Sequence, residues 1–218
     1  MHRHAPGRGD ETRRRIAVEA ARLISEDGIR DYHAAKRKAA ARLGIQVDTA
    51  LPKNAEIEDA LREYQRLFDA DDQPRRLRDL RESAREALRF FEHFEPRLVG
   101  AVLDGTADSH SAVCLHVFSD DPEAVILHLR EHGVPVETQT RRLRISRDEQ
   151  AEYPVLLFAA DELPFDLTVL PVNSLRQPPL DRIDEKPMRR APLATVEALI
   201  AEGADEDDFE RKLTAALR

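Results

Sequence analysis

The stretch that decides the fold runs from Val99 to Phe118 and reads VGAVLDGTADSHSAVCLHVF. Its beginning belongs to an apolar run over residues 98–103, and residues 113–118 alternate between two sets of side chains. Both patterns are typical of β-strands. Gly105 and Thr106, followed by a short polar segment, predict a turn between the two strands. The segment therefore predicts two strands that belong to one sheet.

The residues before this segment show helical rather than strand periodicity. Apolar side chains recur every three or four positions, and glycine or proline stands where three of the four stripes stop. We predict one helix that ends at Gly28, a second that ends at Gly44, a third that is capped by Asn54 and a fourth over Gln73–Phe94, before Pro96.

The residues after the segment alternate between helix and strand signals. A helix is predicted between the cap Asp121 and the stop Gly133. Four further strands are predicted over residues 134–140, 143–146, 155–159 and 165–170. A proline-rich connection follows over residues 171–192, and the chain ends with two predicted helices, the second capped near Asp205.

These patterns predict an α/β (α+β) fold in three parts. A mixed sheet flanked by helices lies between an N-terminal helical region and C-terminal helices. The predicted boundaries are residues 1–72 for the helical region with a disordered basic start, 73–171 for the α/β domain, and 172–218 for the connection and the last helices.

The composition limits the partners and the location. The 218 residues include 34 Lys and Arg against 42 Asp and Glu, a net charge of -8. No stretch approaches the ~18 apolar residues of a membrane span, so we expect no membrane partner. No apolar run follows the basic start, so no secretory signal is expected. Cys114 is the single cysteine, which favours a reducing, cytoplasmic location.

Charge is distributed unevenly along the chain. Residues 1–45 carry a balance of +5, and the other 173 residues carry -13. Lys36, Arg37 and Lys38 in the basic part form a candidate anion-binding face, with solvated helix surfaces as the alternative.

The order of strand, Gly-Thr turn, polar segment with Ser111, and second strand resembles the core of the nucleotidyltransferase superfamily, over about residues 77–171. The resemblance implies that Gly105, Thr106 and Ser111 contact the phosphates of a nucleotide. It also implies that Asp166, on a later strand, is the third of three carboxylates. In this superfamily, such carboxylates bind Mg²⁺ ions that activate a hydroxyl for attack on a phosphate.

The sequence departs from this pattern at the other two carboxylate positions. Ala112 and Cys114 stand there, and neither offers the hard oxygen ligands that Mg²⁺ requires. Asp104 and Asp108 are the nearest carboxylates in the sequence and are the candidates for a rearranged catalytic site with Asp166. A soft-metal or nucleophilic site formed by Cys114, His116 and Asp166 is a further alternative.

The N-terminal helices loosely resemble those of helix-turn-helix regulators. The gap from Gly44 to Asn54 is longer than the turn of that motif and contains Pro52. The helix-turn-helix geometry therefore fits poorly, and duplex DNA is a less favoured partner. A helical subdomain that packs on the sheet or on another subunit or protein is the alternative.

The sequence thus predicts a degenerate, non-catalytic member of the superfamily, a pseudoenzyme that binds a nucleoside triphosphate or RNA. The alternatives are an active Mg²⁺-dependent nucleotidyltransferase that uses Asp166 with Asp104 or Asp108, and a non-catalytic protein-binding or DNA-binding regulator. A Mg²⁺ cofactor is expected only for the active enzyme.

Overall fold

The structure of the chain is a computed structural model that describes residues 8–46, 51–68 and 72–203. These residues form two units, each with its own apolar core. The helical unit comprises the described residues up to Gln73 together with Asp108–His110 and Arg182–Glu185. The sheet unit comprises Pro74–Ala107, Ser111–Asp181 and the described residues from Lys186 onward. The predicted disordered start and the predicted helix near Asp205 lie outside the described residues.

The described part of the helical unit contains α1 (Arg8–Asp27), α2 (Tyr32–Arg42) and α3 (Asn54–Phe68). Helix α1 packs against both α2 and α3. Ala20 and Ala35 are completely buried in this core, and small side chains at such positions allow helix axes to approach closely. The three helices confirm the helical periodicity of this part of the sequence.

One detail at the start of α3 differs from the prediction. Asn54 is the first helical residue rather than the cap, and its side chain donates a hydrogen bond to the carbonyl oxygen of Arg182 at 2.6 Å. Glu56 instead accepts the backbone N–H of Lys53 at 2.6 Å. A glutamate at the third helical position that accepts the N–H of the residue before the helix forms one half of a capping box.

The sheet unit consists of helices on a mixed sheet of five strands within the described residues. Its helices are α4 (Gln73–Phe90), α5 (Ala101–Asp104), α6 (Pro122–Glu131) and α7, over residues 193–203. Its strands are β1 (Arg97–Val99), β2 (Val113–Phe118), β3 (Glu137–Arg144), β4 (Gln150–Ala160) and β5 (Leu163–Leu170). This architecture confirms the predicted mixed α/β fold.

The strand order is β1-β2-β5-β4-β3, with β2 parallel to β5 and the other neighbours antiparallel. One side of the central strands is apolar and packs into the core with α4, α5 and α6. Its strand residues include Val113, Leu115, Leu167 and Val169. Because side chains alternate along a strand, the residues that alternate with these four point to the other side, which we call the open face. The name marks only the side away from α4, α5 and α6, since His116, Phe118 and Thr168 on it are buried.

Several strand predictions were wrong in extent. The predicted strand over residues 98–103 is the short β1 followed by α5, because Gly100 turns the chain with a φ of 72°. A short apolar run fits a buried helical turn as well as a strand. The two strands predicted over residues 134–146 are the single β3. Arg141 and Arg142 lie inside it at the edge of the sheet, where charged side chains reach water.

No helix in the described ranges has the length and apolarity needed to cross a membrane.

Candidate functional site

The open face of the sheet brings together the chemistry-bearing residues of the two central strands. Cys114, His116 and Phe118 alternate with core residues on β2. The parallel register pairs Cys114 with Asp166 and His116 with Thr168 on β5. Directly opposed residues of neighbouring strands share one side of the sheet, so these side chains form one surface.

Asp166 is held in a two-pronged ion pair by Arg141, which comes from the edge strand β3. The Nη1 atom of Arg141 lies 2.8 Å from Oδ1 of Asp166, and Nη2 lies 2.5 Å from Oδ2. Nη1 also donates to the Thr168 hydroxyl at 3.3 Å. The hydrogen bonds that Arg141 donates to Asp166 raise the pKa of Arg141, although burial opposes this effect. Both carboxylate oxygens of Asp166 are therefore already engaged with a permanent cation.

The residues around Asp166 do not fit a Mg²⁺ ion. Cys114 lies beside it in the register, and the Cys114 thiol contacts the carbonyl oxygen of Ala112 at 3.6 Å. Ala112 has no ligand atom in its side chain, and a thiol is a soft ligand that Mg²⁺ does not favour. Within the described ranges, no group of three His, Cys, Asp or Glu side chains is arranged to hold a metal ion. This finding also removes the geometric support for a soft-metal site at Cys114, His116 and Asp166.

The two substitute carboxylates have other partners. Asp104 ends α5, rather than a strand as predicted, and accepts a hydrogen bond from Nη1 of Arg189 at 3.0 Å. Asp108 belongs to the helical unit, where it is buried and pairs with Nη2 of Arg30 at 2.8 Å. Each carboxylate thus has a cation of its own.

The predicted phosphate turn closes a helix instead of presenting its amides. Gly105 is the C-terminal cap of α5 with a φ of 80°, and its N–H donates to the carbonyl oxygen of Ala101. The N–H of Thr106 donates to the same oxygen at 3.0 Å. The side chains of Thr106 and Ser111 are buried. The backbone donors on which a phosphate contact would depend are therefore committed to the fold.

The predicted basic face of the helical unit is divided. Lys38 forms an ion pair with Asp27 at 2.8 Å, and Arg37 is exposed. Lys36 is half-buried beside a groove of about 530 Å³, and burial lowers its pKa. The groove is lined by Arg30, Asp31, Tyr32, His33, Lys36, Asn54 and Arg182.

His116 is the most perturbed titratable group on the open face. Its side chain is 3% exposed, and its Nδ1 atom is buried with no hydrogen-bond partner in the described part of the chain. Burial lowers the pKa of His116 to about 3, with further lowering by Arg190 and Arg141. His116 is therefore neutral at physiological pH.

Arg190 is the residue of this face that the sequence did not reveal. Its guanidinium carbon lies 5.0 Å from the ring centroid of Phe118, and its Nη1 donates to the carbonyl oxygen of Ser174 at 2.7 Å. Its Nε and Nη2 atoms are buried without a hydrogen-bond partner among the described residues. Burial, with a contribution from Arg97, lowers the pKa of Arg190 to about 10. No periodicity or motif distinguished it within the proline-rich connection.

Comparisons of the chain with models of protein families, with curated proteins and with solved structures give no match. The resemblance to the nucleotidyltransferase superfamily therefore stays a prediction from the sequence. Functional inference depends on the geometry of the open face.

Proposed function

We propose that this protein is a non-catalytic, nucleotide-binding member of the nucleotidyltransferase superfamily, which binds a nucleoside triphosphate or RNA on the open face of its sheet. The observation that carries the proposal is the two-pronged pairing of Asp166 with Arg141. It leaves β2 and β5, the central strands of the expected metal-binding face, without an available carboxylate. A cytoplasmic location, which the single cysteine favours, is part of the proposal.

The absence of metal chemistry follows from ligand competition. A Mg²⁺ ion at Asp166 would have to displace the guanidinium of Arg141 and then find further oxygen ligands where Ala112 and Cys114 stand. Charge-assisted pairs with two parallel hydrogen bonds are among the stronger side-chain interactions. A single engaged carboxylate therefore supports a structural role for Asp166 better than a catalytic one.

The binding of an anion is supported by the charges that remain. The positive charges of Arg141 and Arg190 both lower the pKa of His116, and the charge of Arg97 lowers the pKa of Arg190. Asp166 compensates Arg141, and Glu95 pairs with Arg97 at 3.2 Å, whereas no carboxylate pairs with Arg190 in the described ranges. A positive, partly buried surface on an acidic protein favours a phosphate-bearing ligand.

Calorimetric titration with ATP, GTP, CTP and UTP, each with Mg²⁺ and with a chelator, tests the proposal. A short single-stranded RNA is titrated in parallel. We expect binding of at least one of these ligands, with an affinity that does not depend on Mg²⁺. No heat and no shift in thermal melting with any of them would contradict the proposal.

Label transfer from α-labelled nucleotides separates this proposal from the active enzyme. We expect no transfer to any acceptor tried, including the protein itself. Transfer that is lost in Asp166→Asn would instead establish an enzyme centred on Asp166, and a second loss in Asp104→Asn would identify Asp104 as its other carboxylate.

A further inference from the structure

The guanidinium of Arg190 has one engaged edge and one vacant edge. Nη1 donates to the carbonyl oxygen of Ser174, and the planar group lies over the Phe118 ring. Nε and Nη2 form the opposite edge, and both are buried without a partner in the described residues. Buried polar groups in proteins are nearly always hydrogen-bonded, so two vacant donors on one cation require an explanation.

The vacant edge has the geometry of an oxyanion receptor. The Nε–H and Nη2–H bonds of a guanidinium point the same way in one plane and match two oxygens of a phosphoryl or carboxylate group. Arg141 shows the same chemistry on this sheet, since its two Nη atoms hold the two oxygens of Asp166. Arg190 offers a second fork, formed by Nε and Nη2, whose two nitrogen atoms have no hydrogen-bond partner in the described residues.

A third vacant donor position belongs to His116. Its Nδ1 is buried and unpartnered in the described part of the structure, and its ring shares the open face with Phe118, over which Arg190 lies. A neutral imidazole carries one N–H, which can reside on Nδ1 and donate. Across the sheet, the register places Arg97 beside His116. The surroundings of the fork thus add a donor and a positive charge.

We propose that the Nε and Nη2 edge of Arg190, together with Nδ1 of His116, binds a phosphoryl group at the Phe118 end of the open face. This inference rests on the proposed function and names its phosphate subsite. A phosphoryl group has three terminal oxygens for the three vacant donors, whereas a carboxylate has two. Its higher charge also suits a surface influenced by Arg97, Arg141 and Arg190.

Titration of four proteins with ATP, inorganic phosphate and acetate tests this subsite. The proteins are the wild type, Arg190→Gln, Arg190→Lys and the matched control Arg189→Gln. Arg189 is the neighbouring residue, its side chain is 71% exposed, and its loss changes the net charge equally. Circular dichroism and thermal melting show whether each variant is folded, and Arg190→Lys keeps the charge if the glutamine variant does not fold.

We expect wild-type protein to bind ATP and phosphate and Arg190→Gln to bind both at least about tenfold more weakly, since hydrogen bonds from a charged donor are lost. Arg190→Lys should bind with intermediate affinity, because an ammonium group lacks the planar fork. Arg189→Gln should stay within about twofold of wild type, as for an exposed charge.

The other outcomes separate the subsite from the proposed function. Equal binding of ATP by wild type and both Arg190 variants would overturn the subsite and leave nucleotide binding intact. Arg190-dependent binding of phosphate without binding of nucleotide or RNA would support the subsite and overturn the proposed function. Binding of none of these ligands would overturn both, and acetate binding as tightly as phosphate would overturn the choice of a phosphoryl group.

Discussion

Two half-buried arginines lie on the same face of one sheet in opposite electrostatic surroundings. Arg141 meets the carboxylate of Asp166, and this contact raises its pKa. Arg190 meets an aromatic ring and one carbonyl oxygen, and burial lowers its pKa to about 10. The comparison indicates that the arginine at the Asp166 end of the face is paired with a carboxylate, whereas Arg190 at the His116 end has none within the described ranges.

The difference also identifies which charged groups carry functional information. A charge that the fold has already paired contributes to structure, as at Arg141. A desolvated charge without a counterion is unfavourable for folding and is typical of binding sites. The following changes test this distinction in order of decreasing effect.

The largest effect on stability is expected from acidification, because His116 is buried in its neutral form. Its pKa is about 3 in the folded protein and 6.5 in the unfolded chain, so only the unfolded state takes up a proton as the pH falls from 6.5 towards 3. Stability is therefore lost in this window, by about 1.4 kcal/mol per pH unit and about 3 kcal/mol after two units. Urea unfolding gives the free energy of unfolding of wild type and of His116→Leu at several pH values. The change with pH in the difference between these two free energies measures the contribution of His116.

The difference between these two proteins should be constant above neutral pH and should move in favour of His116→Leu in acid. The other titrating groups are common to both proteins and cancel. A difference that does not change between pH 7 and pH 5 would show that His116 titrates normally and that its end of the face is open to water.

At the other end of the face, Arg141→Met should lower the free energy of unfolding by about 2 kcal/mol. The substitution leaves the mostly buried carboxylate of Asp166 without its cation, and solvent weakens the pair because the Arg141 side chain is 42% exposed. Urea unfolding measures the loss. Addition of Asp166→Asn should recover part of it in a double-mutant cycle, and strictly additive effects would rule out a real ion pair.

The same substitution at Arg190 should raise the free energy of unfolding rather than lower it. Arg190→Met removes a desolvated charge without stranding a carboxylate, so we expect a gain of about 1 kcal/mol in unfolding free energy without ligand. Saturating phosphate should stabilise wild type and not the variant. A loss comparable to that of Arg141→Met would mean that Arg190 is held by the fold as firmly as Arg141 is, and would contradict an unpaired Nε and Nη2 edge.

The smallest effect is expected at Arg142, which neighbours Arg141 on β3. Its pair with Glu152 has a distance of 2.7 Å, but the two side chains are 66% and 56% exposed. Arg142→Met should therefore change the free energy of unfolding by less than about 0.5 kcal/mol. A larger loss would show that replacing an arginine of β3 is destabilising even at an exposed position. The loss measured for Arg141→Met could then not be attributed to its ion pair with Asp166.

Much of the fold could be predicted because it depends on local patterns. The stripes ending at Gly28 and Gly44 and the alternation over residues 113–118 are local consequences of helix and strand geometry. The cap Asp121 was also predicted correctly, and its side chain accepts the N–H of Glu123. The predictions failed where a pattern was too short, as over residues 98–103, or where water could solvate charges within a strand, as at Arg141 and Arg142.

The candidate site was predictable only in part. The sequence placed Asp166 on the strand face opposite its core residues and showed that Ala112 and Cys114 replace two carboxylates. It gave no sign that the amides of Gly105 and Thr106 would close α5, because that depends on the turn conformation at Gly105.

The sequence by itself determined most of the helices and strands, the residues on each side of β2 and β5, and the lack of metal-binding side chains at the two positions beside Asp166. Only the tertiary structure decided that Arg141 pairs with the carboxylate of Asp166, 25 residues away along the chain. It also decided that Arg190 lies over Phe118 with Nε and Nη2 unpaired in the described residues. The physical reason is range. Backbone hydrogen bonding and apolar periodicity act between near neighbours, whereas the pairing and desolvation of a charge depend on which distant segments the packed chain brings beside it.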